Sequence, residues 1–304
     1  MTSDQQLTSD QRPATDNQPQ ATSDQRPATS HQPPATGDQR PVTGLAAIAA
    51  AFARAKAEGR PALMPYWSLG YPDVETSLRV IEAIARAGAD LIELGVPFSD
   101  PLADGPVIQR ANQIALERGI TVSRCMQIAA RARAAGVDAP FLAMGYLNPV
   151  IAYGEARYVA DWQRAGADGL IVPDLPPEEC DALKRECDAR EMALVQFTAP
   201  TSTDARIRLA AMHATGFIYI VSVAGVTGAR DRLAEGLRDY VERVKAQAGG
   251  KPVVVGFGIS KPEHVREVGQ FADGVIVASA LLKHAGDAPD PAQAAYEFVR
   301  GLKT

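Results

Sequence analysis

The chain contains few of the side chains that build disulfide frameworks or metal centres. Its 304 residues include only three cysteines and four histidines. An odd number of cysteines without a Cys-x-x-Cys pair argues against a disulfide framework and is typical of a reducing compartment, so we expect a cytoplasmic location. The histidines show no metal-ligand spacing, and we expect no metal site. General acid/base chemistry must then come from carboxylates.

Long apolar runs and a strong charge of one sign are also missing. No run of 18 apolar residues occurs, so the sequence predicts no membrane span. The formal net charge is -5, and acidic and basic residues are interspersed. Such a distribution offers no basic patch for nucleic acid or for an anionic membrane. We therefore expect neither of them as a partner.

Residues 1–44 differ in composition from the rest of the chain. Thr-Ser-Asp-Gln and Asp-Gln-Arg-Pro each recur there, and Leu7 and Val42 are almost the only large aliphatic side chains. Such a segment buries too little apolar surface to offset the entropy of ordering it, so we expect a disordered tail. It lacks the apolar h-region of a secretory signal peptide, so we do not expect it to be one. A tether or recruitment role is the alternative to a plain extension.

From residue 45 to residue 304, short apolar runs alternate with amphipathic segments. The predicted strands are 62–69, 91–96, 141–147, 170–173, 194–197, 217–223, 253–257 and 275–280. The predicted helices are 45–58, 74–87, 123–135, 155–165, 177–189, 204–213, 237–248, 262–268 and 291–302. Eight strands separated by helices indicate an α/β protein, a (β/α)8 TIM barrel. The alternative, a doubly wound sheet, would carry a Gly-x-Gly-x-x-Gly fingerprint after its first strand, and none is there.

The second predicted strand carries a carboxylate among apolar neighbours. Side chains alternate along a strand, so Glu93 shares one face with Leu91 and Gly95. A buried carboxylate without a partner is costly, so Glu93 must be paired, protonated or catalytic. Asp104 follows in a loop that three prolines stiffen. The two carboxylates are a candidate acid/base pair.

The ends of the last two strands predict a phosphate site. TIM barrels place their active sites on the loops after the strands, and phosphate sites after strands seven and eight. Gly258 follows strand seven and allows close approach of the backbone, while Ser279 ends strand eight with a hydroxyl and an N–H. The alternative is that the glycines only turn the chain. A Gly/Thr-rich run at 222–228, after strand six, is typical of a mobile lid.

Five stretches resemble the tryptophan synthase alpha subunit family. The most specific is Glu-Leu-Gly-Val-Pro-Phe-Ser-Asp-Pro-Leu-Ala-Asp-Gly-Pro at 93–106. The others lie at 143–149, 172–179, 222–228 and 256–260, in the same order and spacing. Together they cover nearly all of 45–304, and the tail has no counterpart.

The resemblance implies a lyase of tryptophan biosynthesis that cleaves indole-3-glycerol phosphate to indole and glyceraldehyde 3-phosphate by a retro-aldol route. Glu93 matches the family's general acid/base, and Asp104 matches the carboxylate that holds the indole N–H. The positions that match substrate-binding residues are Tyr219, Thr227, Gly228, Phe257, Gly258, Ala278 and Ser279. Ala278 stands where the family often has glycine, and Ala224 stands at a lid position that also takes threonine in similar chains. Trp67 and Tyr71 are bulky for the end of the first strand.

The resemblance also implies a partner. It predicts an alpha2-beta2 complex with a tryptophan synthase beta subunit, through 97–100 and 174–176, with pyridoxal phosphate in the beta subunit and no cofactor in this chain. Three alternatives stay open: a stand-alone lyase that releases free indole, a non-catalytic allosteric subunit, and another phosphate-binding barrel such as an epimerase or a thiamine-phosphate synthase. The combination of Glu93, Asp104 and Tyr219 argues against the second, and the 93–106 stretch argues against the third.

Overall fold

The computed structural model describes residues 42–221, 236–256 and 258–303. The predicted tail up to residue 41, the predicted lid with Thr227, Gly228 and Ala224, and Phe257 lie outside the described residues. No helix within the described ranges is both long and apolar enough to span a bilayer.

Eight parallel strands close into a barrel, as the sequence predicted. They are β1 (Ala62–Ser68), β2 (Ile92–Gly95), β3 (Phe141–Met144), β4 (Gly169–Ile171), β5 (Ala193–Thr198), β6 (Ile218–Ile220), β7 (Val253–Val255) and β8 (Gly274–Val277). Each strand pairs with the next one along the chain, and β8 pairs with β1 through the register Met64↔Ile276. The architecture is therefore a TIM barrel.

Helices surround the barrel. Those in the described part are α1 (Gly44–Ala57), α2 (Val74–Arg86), α3 (Pro106–Glu117), α4 (Val122–Ala134), α5 (Leu147–Tyr153), α6 (Glu155–Arg164), α7 (Asp181–Asp188), α8 (Asp204–His213), α9 (Leu237–Lys245), α10 (Pro262–Val268), α11 (Ser279–Ala285) and α12 (Pro291–Leu302). A 3₁₀ turn at Pro177–Glu179 precedes α7, so the predicted helix 177–189 is two elements.

Three helices were not predicted, and two of them correct predicted strands. Leu147 begins α5 although the third strand was predicted to reach it, and Ser279 begins α11 although the eighth strand was predicted to reach residue 280. Both segments are apolar, and apolar runs do not distinguish the end of a buried strand from a helix that follows it. Helix α3 begins at Pro106, which the sequence reading treated only as a stiffening residue of the loop.

Alternation along the strands separates two packed layers. Leu91 faces the barrel interior with Met64 and Ile276, whereas Ile92 and Leu94 pack outward against the helices. Helix α1 covers the end of the barrel at which the strands begin. This arrangement makes β2 buried on both faces and places Glu93 on the inward side.

A side-chain acceptor precedes every even-numbered strand and binds the backbone N–H at the start of the preceding odd strand. Asp90 accepts from Leu63 at 2.9 Å. The other three bonds run from Phe141 to Asp168 (2.9 Å), from Leu194 to Thr215 (2.7 Å) and from Val253 to Asp273 (2.8 Å). These four bonds, called the strand-start clasps below, join β1 to β2, β3 to β4, β5 to β6 and β7 to β8.

Candidate active site

Glu93 lies inside the barrel on β2 and is 1% exposed. Its Cα pairs with Tyr66 on β1 and with Leu142 on β3. The Oε2 atom has no hydrogen-bond partner among the residues that the structure describes. Burial, followed by the charge of Asp104, raises the pKa of Glu93 to about 8. At neutral pH the carboxyl group therefore holds a proton that it can donate.

Asp104 lies in the turn before α3, and its backbone N–H donates to the carbonyl of Pro101 at 3.0 Å. Its Oδ2 accepts a hydrogen bond from Nδ2 of Asn112 at 3.2 Å. Burial raises its pKa to about 6, while hydrogen bonds from Tyr146 and Asn112 act in the opposite direction. Asp104 is therefore ionised at a pH at which Glu93 is still protonated, because the two environments separate their pKa values.

Two buried phenols, one on β1 and one on β6, lie close to the same two carboxyl groups. Burial raises the pKa of both Tyr66 and Tyr219, and the charges of Glu93 and Asp104 add to the effect. Glycines make room for the rings, since a Cβ at Gly95 would overlap the Tyr66 hydroxyl and one at Gly256 would overlap the Tyr219 ring.

An aromatic wall continues the pocket from Tyr219. The ring of Phe197 on β5 lies 4.8 Å from that of Tyr219, centroid to centroid. Across the opening, Tyr146 lies 5.4 Å from Phe98 by the same measure. Flat aromatic surfaces beside two carboxyl groups suit a planar substrate that carries an N–H.

The predicted phosphate residues follow neighbouring strands. Gly258 comes after β7 with a φ of 64°, and no atom lies within 4 Å of where its Cβ would be. Ala278 precedes α11 and Ser279 is its first residue. Because β7 and β8 pair in the barrel, these residues lie at the same end of it as Glu93 and Asp104. Nδ1 of His264 lies 3.1 Å from the carbonyl oxygen of Gly258 and supports this loop.

The sequence reading missed four polar residues of the site: Tyr66, Ser68, Asn112 and Tyr146. Tyr66 and Ser68 follow Met64 at every second position of β1 and so share its inward face. This alternation could have been read from the sequence. Asn112 is 2% exposed, but only the packing of an unpredicted helix brings it to Asp104. Tyr146 stands within the 143–149 stretch and was not singled out there.

One group of potential metal ligands occurs among the described residues, although the sequence showed no ligand spacing. Cys180, Asp181 and His213 offer ligand atoms within 4.8 Å of one another. The Cys180 thiol donates to the carbonyl of Pro177 at 3.2 Å and lies 3.4 Å from Nδ1 of His213. The group lies where α7 begins and α8 ends, outside the barrel interior, and hydrogen bonds already account for its geometry.

The closed parallel barrel and the two carboxyl groups of different acidity beside its strand ends define a TIM-barrel enzyme of the acid/base class. A family model described as "Tryptophan synthase alpha chain" matches residues 52–302. The tryptophan synthase alpha chain of Roseiflexus sp. (strain RS-1) is 50% identical over 261 residues, which cover 85% of this chain and 100% of that one.

Two further comparisons agree. The chain is 40% identical over 253 residues to tryptophan synthase of Saccharomyces cerevisiae, covering 83% of this chain and 36% of that protein. The crystal structure of tryptophan synthase subunit alpha from Legionella pneumophila matches with a TM-score of 0.77 and 35% identity, covering 84% of this chain and 97% of the other. The chain belongs to the tryptophan synthase alpha chain family. Its function is that of the alpha subunit, a lyase of tryptophan biosynthesis.

Proposed function

We propose that Glu93 and Asp104 divide the cleavage of indole-3-glycerol phosphate between them, Glu93 as general acid/base and Asp104 as the carboxylate that binds the indole N–H. The observation that carries this assignment is the contrast between Glu93, which is 1% exposed with an unpaired Oε2 among the described residues, and Asp104, which accepts from Asn112. These surroundings raise the pKa of Glu93 to about 8 and that of Asp104 to about 6. One neutral acid and one anion are the two groups that the reaction requires.

Glu93 acts first as an acid and then as a base. Its carboxyl proton passes to the ring carbon that bears the glycerol phosphate chain, and the ring becomes a cation. The resulting carboxylate then accepts the proton of the adjacent side-chain hydroxyl. As that oxygen forms the aldehyde, the electrons of the breaking C–C bond return to the ring and restore indole. Glu93 ends the cycle protonated, as it began.

Asp104 stabilises the cation. Its carboxylate accepts a hydrogen bond from the indole N–H. The attraction grows as positive charge develops on the ring, so it favours the transition state over the bound substrate. Tyr146 and Tyr219 complete the pocket around the ring.

The phosphate end of the substrate binds at the loops after β7 and β8. The residues proposed there are Gly258, Ala278 and Ser279, whose backbone N–H groups and hydroxyl suit a phosphate. Thr227, Gly228 and Phe257 are proposed as further contacts from the parts of the chain outside the described residues. Binding of this unreactive end supplies energy that positions the reacting end.

The partner proposed is a tryptophan synthase beta subunit that carries pyridoxal phosphate, in an alpha2-beta2 complex. Residues 97–100 and 174–176 form the proposed contact, and Leu102 beside them is 94% exposed. The yeast relative supports this proposal, because a chain named tryptophan synthase contains much more than the part matched here. We propose a cytoplasmic location, since the three cysteines are free and buried.

Indole release tests the assignment. Purified chain is given indole-3-glycerol phosphate with and without a tryptophan synthase beta subunit, and Glu93→Gln is compared with Glu155→Gln on the outside of the barrel. We expect release that the beta subunit accelerates, and a loss of at least about 100-fold in Glu93→Gln only. Full activity in Glu93→Gln overturns the catalytic assignment, and fast release that ignores the beta subunit indicates a stand-alone lyase.

A further inference from the structure

A line of buried hydrogen bonds connects β1 to Asp104. The Tyr66 hydroxyl lies 3.1 Å from Oγ of Ser68. Oγ of Ser68 lies 3.0 Å from Oδ1 of Asn112, and Nδ2 of Asn112 lies 3.2 Å from Oδ2 of Asp104. Tyr66, Ser68 and Asn112 are 2%, 0% and 2% exposed. Because these three are buried, water competes little for their bonds, and each group depends on its neighbour in the line.

The chemistry of the groups fixes the direction of every bond. An ionised Asp104 only accepts, so the NH₂ group of Asn112 faces it and Oδ1 faces Ser68. Ser68 then uses its single hydrogen to donate to Oδ1, and its oxygen accepts from the phenol of Tyr66. Tyr66 is able to donate throughout the working range because its pKa is raised well above 10. All donors therefore point towards Asp104.

The Tyr66 hydroxyl reinforces the orientation of the amide that the Asp104 carboxylate favours. Without it, Ser68 is free to turn its hydrogen elsewhere and accept from the NH₂ group, and the amide of Asn112 can rotate by half a turn. Its carbonyl oxygen would then face the carboxylate of Asp104, where two acceptors repel each other. The phenol on the rigid strand thus disfavours the orientation that would displace Asp104.

We propose that Tyr66, Ser68 and Asn112 are positioning residues, which hold Asp104 in the orientation that receives the indole N–H. The proposal rests on the role of Asp104 proposed above. It explains how a catalytic group on an exposed turn is held in place, since the neighbouring Leu102 is 94% exposed. Sites carried by loops need such support from rigid elements to keep their geometry.

Two variants interrupt the line at different points. Tyr66→Phe removes the first donor, and Asn112→Asp replaces the last donor by an acceptor of the same shape. We expect kcat/KM to fall about 3- to 10-fold in Tyr66→Phe, the effect of one hydrogen bond, and at least about 100-fold in Asn112→Asp. The loss should lie mainly in kcat, because Asp104 acts most strongly on the ring cation.

The pH profile distinguishes positioning from a general structural defect. The described titratable groups that face Asp104 are Glu93, Tyr66, Tyr146 and Tyr219. Of these groups, only Glu93 has a pKa in the pH range in which Asp104 also titrates. Weakening the Asn112 donor raises the pKa of Asp104, so in Tyr66→Phe the acidic limb of kcat/KM should move to higher pH while the limb of Glu93 changes less. In Asn112→Asp the limb should move further, because the donor is lost and a second carboxyl group lies beside Asp104.

Tyr153→Phe is the matched control, since it removes a partly buried phenol away from the site, which donates to Asp161 at 2.6 Å. Its profile should equal that of the original chain. If Tyr66→Phe and Asn112→Asp behave like Tyr153→Phe while Glu93→Gln is inactive, the positioning proposal is overturned and the proposed function stands. An active Glu93→Gln overturns the function itself. If Asn112→Asp does not fold, Ser68→Ala interrupts the same line.

Discussion

Glu93 and Asp104 carry the same functional group in different surroundings. Glu93 is enclosed by the barrel, whereas Asp104 receives hydrogen bonds from Tyr146 and Asn112 at the edge of the mouth. Desolvation favours the neutral form and hydrogen-bond donors favour the anion, so their positions keep Glu93 protonated at a pH at which Asp104 is ionised.

The two pKa values predict a bell-shaped dependence of kcat/KM on pH. Activity should fall as the pH drops below about 6, where Asp104 gains a proton, and as it rises above about 8, where Glu93 loses one. Steady-state indole release across this range is the measurement. The acidic limb should disappear in Asp104→Asn, at low residual activity. A profile that is flat between pH 5 and 9 in the original chain would contradict the assignment.

Burial of Glu93 should also weaken the fold at high pH. Its pKa is 4.5 in the unfolded chain and about 8 in the folded one. The folded state therefore holds the proton more tightly, and the free energy of unfolding should decline as the pH rises through that window, by at most about 1.4 kcal/mol per unit.

Glu93→Gln removes this titration and tests the decline. Urea unfolding at pH 5 and pH 8 should show a smaller decrease in the free energy of unfolding for the variant than for the original chain. Glu155→Gln, on the outside of the barrel, serves as the control. Equal decreases in all three proteins would show that Glu93 does not titrate in this range.

At the scale of elements, strand ends and glycines shape the pocket. Gly256→Ala would bring a methyl group onto the Tyr219 ring. We expect the ring to move into the pocket and indole release to fall at least about 10-fold, since small displacements of positioned groups are costly. Gly301→Ala, in α12 with no atom within 4 Å of the added Cβ, is the control. Melting temperatures of both variants separate a pocket effect from unfolding, and unaltered release in Gly256→Ala would contradict the role of Tyr219.

The bulky Trp67 is explained by the element in which it lies. It points away from the pocket, is fully buried against the surrounding helices, and its Nε1–H donates to the carbonyl of Tyr71 at 2.9 Å. Trp67 therefore packs the outside of β1 and closes its terminal turn, away from the candidate pocket.

The sequence predicted all eight strands and the position of Glu93 because apolar runs and alternation are local signals. It did not predict α3, α5 or α11, whose residues continue or follow apolar strand ends. Asn112 could not be assigned for the same reason, since its contact with Asp104 exists only after α3 has packed on the barrel. Local patterns thus predict the framework and the two candidate carboxyl groups, while tertiary contacts bring the neighbouring polar groups to them.

At the scale of the whole molecule, the barrel separates stability from catalysis. Asp168 is fully buried at the strand starts and accepts hydrogen bonds from the N–H groups of Gly44 and Phe141 and from Arg133. Asp168→Ala should lower the free energy of unfolding by about 3 to 5 kcal/mol, because Arg133 loses its carboxylate and the N–H groups of Gly44 and Phe141 lose their acceptor. Indole release at a temperature where the variant is folded should remain near normal, since the site lies at the opposite strand ends.

Glu75→Ala is the control for this prediction. Glu75 forms a bidentate salt bridge with Arg131 at the surface, and both hydrogen bonds are 2.7 Å long. Because solvent screens such pairs, its unfolding should be nearly unchanged. Similar unfolding curves for the two variants would contradict the role given to Asp168.

The strand-start clasps have a consequence for the order of assembly. They join residues only 27, 27, 21 and 20 positions apart, whereas closure of the barrel joins β1 to β8 near the two ends of the domain. Short loops cost less entropy to close, so the chain should first form four two-stranded units, and the barrel should close afterwards. Pulse-labelled hydrogen exchange during refolding should then protect the amides of Leu63, Phe141, Leu194 and Val253 before that of Met64 or Ile276.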